Sequence, residues 1–167
     1  MSCNDFSSVL FEDGVLRSFG NNNQGNMALG ELLGFDFYEA INLPSPVVWN
    51  SGEEELIEDF DLGERTMVVR TKSGRLYVAG MKLYFNPTLV PIDYDKHRVR
   101  TFGACEKGMA FVTEENKLFA LGSFWPGKDQ DENIKTGLLE IQTEKFLEGR
   151  EIQRVGGKYS GCFALVK

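Results

Sequence analysis

One short pattern occurs three times in this chain and restricts its fold more than any other feature. An apolar strand runs into a tight turn, a second strand follows, and a Gly stands six residues past the turn. The copies are Val9 to Gly20 (VLFEDGVLRSFG), Val69 to Gly80 (VRTKSGRLYVAG) and Phe111 to Gly122 (FVTEENKLFALG). Their turns, Asp13-Gly14, Ser73-Gly74 and Glu115-Asn116, are predicted to be two-residue hairpins. The last residue of each takes a positive φ, which only Gly and Asn adopt cheaply. The Gly six residues on predicts a close backbone approach, as where strands crowd near a common axis.

A second frame precedes two of these hairpins and returns near the end: Ile57-x-x-Phe60, Val99-x-x-Phe102-Gly103 and Ile152-x-x-Val155-Gly156. The last is followed by Cys162-Phe163-Ala164-Leu165-Val166, which matches the first hairpin strand of a further copy. Pro44-Ser45-Pro46-Val47 and Pro87-Thr88-Leu89-Val90 share Pro-x-x-Val and predict edge strands that begin with Pro; near Gly137-Leu138-Leu139 the Pro is lost. The turns lie 60 residues apart (14 to 74) and then 42 (74 to 116), so the variation falls in linking loops. Leu118-Phe119-Ala120-Leu121 is apolar at every position, which requires cover on both faces. Repeats of this size stacked face to face give an all-β fold, a partial or open β-propeller of about three blades, each a four-stranded antiparallel sheet. The repeats are read at about 1–55, 56–97 and 98–150, with a partial fourth at 151–167, in a single domain.

These residues resemble the regulator-of-chromosome-condensation repeat family over nearly the whole chain. Gly20-Asn21-Asn22-Asn23-Gln24-Gly25 resembles the family's Gly-x-Asn-x-x-Gly element, with Phe19 where the family often has Trp. Thr71 and Thr113 stand where its Thr does, Gly156-Gly157-Lys158-Tyr159-Ser160 is similar to its Gly-Gly-x-His-Ser stretch, and Ala164-Leu165 to its Ala-Leu. The repeats are divergent: Met27-Ala28-Leu29-Gly30 replaces Gln-Leu-Gly, and Met81-Lys82-Leu83-Tyr84 and Ser123-Phe124-Trp125 lose the Asn and Gly. A family ring usually has seven blades, more than 167 residues supply. The expectation is therefore part of a longer propeller, with self-association through open blade edges as an alternative.

Lys and Arg total 18 against 25 for Asp and Glu, a net charge of -7, which argues against direct nucleic-acid binding. Three cysteines without C-x-x-C spacing argue against a zinc ribbon or a disulfide framework. With neither a signal peptide nor a membrane span in the sequence, a soluble cytoplasmic or nuclear protein is expected. The single His, His97, lies in a charged loop, and Cys105 beside Lys107 has no His signature near it. Asp129-Gln130-Asp131-Glu132-Asn133 opens like a calcium loop, but Ile134 stands where the bend needs Gly. No catalytic residue, metal site or cofactor is assigned.

What remains are polar and aromatic residues outside the strands. Asn21, Asn22, Asn23 and Gln24 offer donors and acceptors at a rim, and Trp49, Tyr84, Phe85, Phe124 and Trp125 are candidate partner anchors. The same residues can be turn chemistry and core under long loops. The function expected is a protein-protein interaction module. The resemblance adds an alternative, guanine-nucleotide exchange on a small GTPase, the activity of the family's founding member, and scaffold or substrate-binding roles in ubiquitin-ligase proteins.

Overall fold

The computed structural model describes residues 2–3, 6–30, 41–47, 49, 55–81, 84–122, 137–158 and 161–167. It contains three four-stranded antiparallel sheets and one two-stranded sheet, each a meander in chain order. Blade 1 holds β1 (Ser2–Cys3), β2 (Phe6–Leu10), β3 (Leu16–Gly20) and β4 (Ile41–Pro46). Blade 2 holds β5 (Ile57–Leu62), β6 (Thr66–Thr71), β7 (Leu76–Gly80) and β8 (Tyr84–Leu89). Blade 3 holds β9 (Val99–Cys105), β10 (Gly108–Thr113), β11 (Leu118–Gly122) and β12 (Leu139–Ile141). A short helix, α1 (Glu144–Leu147), leads to β13 (Ile152–Lys158) and β14 (Gly161–Val166) of blade 4.

Apolar strands without alternation meet the demand for two-sided cover by packing between blades. Blades 1 and 2 close a core around Leu16, Met27, Met67 and Val69. Blades 2 and 3 enclose Val68, Val78, Met109 and Phe111, and blades 3 and 4 enclose Val112, Ile152 and Val155. The rings of Phe111 and Phe119 stack at 5.1 Å within blade 3. Every residue of β10 is buried.

The repeated turns differ in one respect from the two-residue hairpins expected. Phe11 N–H donates to Val15 O and Gly14 N–H to Phe11 O; Thr71 with Arg75 and Gly74, and Thr113 with Lys117 and Asn116, do the same. Each loop therefore has three residues, a type I turn closed by a left-handed residue. That residue is Gly14 (φ 84°), Gly74 (φ 84°) or Asn116 (φ 63°). The requirement for positive φ was legible; the loop length was not, because both turn types accept Gly at the same place.

The Gly six residues past the turn also sits elsewhere than expected. Gly80 (φ 109°) and Gly122 (φ 122°) end third strands, away from the axis, against the first hairpin of their own blade. A Cβ on Gly80 would lie 2.1 Å from Arg65 O, and on Gly122 2.3 Å from Lys107 O. Crowding of the inner strands falls to other glycines: a Cβ on Gly63 would meet Cys105 O at 1.8 Å, and on Gly103 the Gly156 Cα at 2.6 Å. The prolines are displaced too. Pro44 and Pro87 lie inside β4 and β8, not at their starts, and Pro87 falls within a register shift of the outer strand, where a missing N–H breaks no ladder bond.

Candidate functional site

The innermost strands β5, β9 and β13 share one irregularity. Each slips register by one residue against its neighbour, between Ile57 and Asp59, between Val99 and Thr101, and between Ile152 and Arg154. A bulge re-aims the side chains beside it. Here it leaves Glu58, Arg100 and Gln153 without a ladder partner, and places Asp59, Thr101 and Arg154 at equivalent points on three successive blades. These three residues line one cleft of about 710 Å³ on the inner side of the arc, with Asp61, Arg100, Phe102 and, across from them, Phe163 and Leu165 of β14.

The bulged residues also join blades. The Arg100 guanidinium donates to Ile152 O at 2.6 Å and to Asn116 Oδ1 at 3.0 Å, and pairs with Glu151. Arg70 donates to Arg100 O at 3.4 Å, pairs with Glu58 at 3.1 Å, and stands 5.5 Å over the Phe102 ring. The Asp61 carboxylate accepts from Ala104 N–H at 2.8 Å and Leu62 N–H at 3.0 Å. Burial nevertheless pushes its pKa above the usual value, against those two donors and the nearby Arg154. The cleft thus holds Asp59, Asp61 and Arg70 on the blade 2 side and Arg100 and Arg154 on the blade 3 and 4 side.

The apolar wall of the cleft is β14. Phe163 and Leu165 are 60% and 58% exposed. The ladders align them with Val68 and Arg70 of blade 2 and with Ala110 and Val112 of blade 3, through their partners Gly156 and Arg154. Val68, Ala110 and Val112 are at most 4% exposed. One strand position is therefore covered in two blades and open in the third. Among the described residues no strand pairs with the outer edge of β14.

The residues singled out from the sequence lie apart from this cleft. Asn22 is buried, its Oδ1 accepting from Met27 N–H at 2.9 Å, and Asn21 Oδ1 accepts from Asn23 N–H at 2.9 Å. Asn23 and Gln24 are half-buried in the same loop, which folds around Met27. Trp49 packs edge-on to Tyr77 with ring centroids 5.0 Å apart, and lines a separate cleft of about 390 Å³ with Leu16 and Glu55. Tyr84 packs on the core between blades 2 and 3. Of Phe85 only the backbone, in β8, is described; Phe124, Trp125 and the acidic segment 129–133 lie outside the described residues. His97 pairs with Glu115 at 3.2 Å and leans on Phe119, outside either cleft. No three potential metal ligands converge among the described residues.

The axial residues had a signal in the sequence that went unused. In the recurring frame of an apolar residue, two variable positions and another apolar residue, the variable pairs are Glu58-Asp59, Arg100-Thr101 and Gln153-Arg154. The frame fixes the strand, and its polar interior is what the strand presents to the axis.

No family model matches the sequence, and no curated protein matches it. Solved structures do match the fold. Prp20p from Saccharomyces cerevisiae, whose structure was reported with its binding properties to Gsp1p and histones, superposes with a TM-score of 0.74 at 16% identity, over 99% of this chain and 42% of its own. The fold is that of the regulator-of-chromosome-condensation propellers. Human WBSCR16 matches with a TM-score of 0.70 at 17% identity, over 98% of this chain and 42% of its own. Yeast RCC1 (Prp20) bound to Kap60 matches at 0.68 and 16%, over 93% and 38%. The chain thus spans at most 42% of the length of these proteins, and corresponds in fold to part of their propellers. Among the described residues, no helix is long and apolar enough to cross a membrane.

Proposed function

We propose that this arc is a protein-protein interaction module that engages its partner through the axial cleft and the open face of β14. The observation that carries the reading is Phe163, exposed at a position whose counterparts Val68 and Ala110 in blades 2 and 3 are buried, with the exposed Leu165 next on the same face and an axial row of Asp59, Thr101 and Arg154 beside them. An apolar anchor flanked by charges of both signs has the make-up of an interface centre and its rim. The charges set orientation, and burial of the two side chains supplies affinity. Exchange on a small GTPase and scaffolding are finer versions of this function that the same surface could serve.

The test offers the immobilised chain the partners named for Prp20p, Gsp1p and histones, and a panel of small GTPases, and measures saturable binding together with release of a fluorescent nucleotide from the GTPases. A triple variant, Arg154→Glu with Phe163→Ser and Leu165→Ser, is expected to weaken binding at least about ten-fold, the effect of about 1.4 kcal/mol. Accelerated nucleotide release would mark exchange, and binding without it scaffolding. No saturable binding to any protein offered, or binding that the triple variant leaves intact, would overturn the reading.

A further inference from the structure

Two of the three cysteines, 57 positions apart in sequence, meet between blades 3 and 4. Cys105 ends β9 and is 1% exposed; Cys162 lies in β14 and is open to solvent. The ladder puts Cys162 directly opposite Gly157. Paired residues of an antiparallel ladder share a face, and a Cβ added to Gly157 would stand 2.4 Å from Cys105 Cβ. Cys162 therefore points at blade 3 where Cys105 points at blade 4. Gly157 is what leaves room for the sulfurs, since any side chain there would displace Cys105. Both thiols are free in this structure.

We propose that Cys105 and Cys162 form an oxidisable dithiol, a modification site at which a hydroperoxide joins the inner strand of blade 3 to the exposed strand of blade 4 through a reversible disulfide. Cys162, on the open side, attacks the peroxide oxygen. The O–O bond breaks, the leaving hydroxide takes the thiol proton as water, and a sulfenic acid remains on Cys162. Cys105 then attacks the Cys162 Sγ, the S–O bond breaks, and hydroxide leaves and is protonated to a second water. Two thiols lose two electrons and one hydrogen peroxide gains them.

Access sets this order, because Cys162 is open to solvent and Cys105 is buried. A hydrogen bond from Cys162 holds the Cys105 thiol below its usual pKa despite burial, and the same contact pushes Cys162 up. The Cys105 sulfur is thus the base of the pair: it draws the Cys162 proton as Cys162 attacks, passes it to the leaving hydroxide, and as the thiolate then attacks the sulfenic acid. The bond would pin β14, whose opposite face carries Phe163 and Leu165, onto the rest of the arc. The inference concerns the thiols alone and holds whether or not that face binds a partner.

The experiment treats the full reduced chain with hydrogen peroxide, denatures it in N-ethylmaleimide, and reads intact mass and unreduced peptide maps. The expected result is loss of two of three maleimide additions, a linked peptide pair containing Cys105 and Cys162, and recovery of all three additions after dithiothreitol. With Cys105→Ser, the Cys162 sulfenic acid should accumulate as a dimedone adduct several-fold over the unsubstituted chain. Maleimide retained on both residues, sulfinic acid on Cys162 with Cys105 still alkylated, or a disulfide to Cys3 instead would overturn the proposal, and all three are read without a substitution that could unfold the chain.

Discussion

At the scale of single residues, polar groups that the sequence leaves as unremarkable loop members fasten the linking chain to its blade. Glu55 precedes β5 and gathers Tyr77 Oη at 2.7 Å, Arg75 at 3.1 Å and the Ser73 hydroxyl. Burial works to raise its pKa, but the hydrogen bonds from Ser73, Thr71 and Tyr77 and the charge of Arg75 win and hold it below 4.5. A carboxylate whose pKa is lower folded than unfolded stabilises the fold above its unfolded value. That stabilisation is lost as the pH falls through the folded one. Glu55→Gln should therefore cost about 1–2 kcal/mol at neutral pH, with the gap to the unsubstituted chain closing below about pH 4. Urea unfolding across pH checks this; a gap that stays constant in acid would contradict it. Asp61 carries the opposite sign: its raised pKa makes the fold gain stability as the pH falls through the range just above 3.8.

The elements show why glycine does two jobs here that sequence alone does not separate. Gly74 needs its positive φ of 84° but has open space around it, whereas Gly103 has its Cβ site occupied by the backbone of Gly156. Gly74→Ala should cost about 1 kcal/mol, the strain of a left-handed alanine. Gly103→Ala has to push β9 and β13 apart and should cost at least about 4 kcal/mol, enough to unfold blade 4 or the whole arc. Denaturant midpoints of the two variants compare them directly, and equal midpoints would show that the inner strands are not packed backbone to backbone. Strand β14 is the counterpart at this scale, apolar in sequence like β6 and β10 but exposed from Gly161 to Leu165.

Across the whole molecule, burial runs unevenly along the arc. Strands β6 and β10 have two neighbours in their sheet and a blade on each face, while among the described residues β14 has one strand neighbour and blade 3 on one side. Amide exchange should follow: slowest in β6 and β10, faster by at least about two orders of magnitude in β14, because its opening exposes little apolar surface. Mass-spectrometric exchange on the native chain reads this, and protection of β14 equal to β10 would show that something covers it in solution. Oxidation of the Cys105 and Cys162 pair, or a bound partner, would slow β14 specifically.

The recurring Gly and Asn turns, the apolar strands and the two repeated frames are local rules of backbone conformation and two-sided burial. They determined strand, turn and blade identity, and with them the propeller architecture, directly from the sequence. Loop length, the site of glycine crowding and the fate of the candidate anchors were not legible. Asn22 and Trp49 look alike as rim residues or as buried ones until the chain around them is placed. The axial row of Asp59, Thr101 and Arg154, and the meeting of Cys105 with Cys162, were decided only by tertiary structure. Both arise from strands far apart in sequence whose relative position is set by the packing of one blade on the next, a distance over which local propensity carries no information.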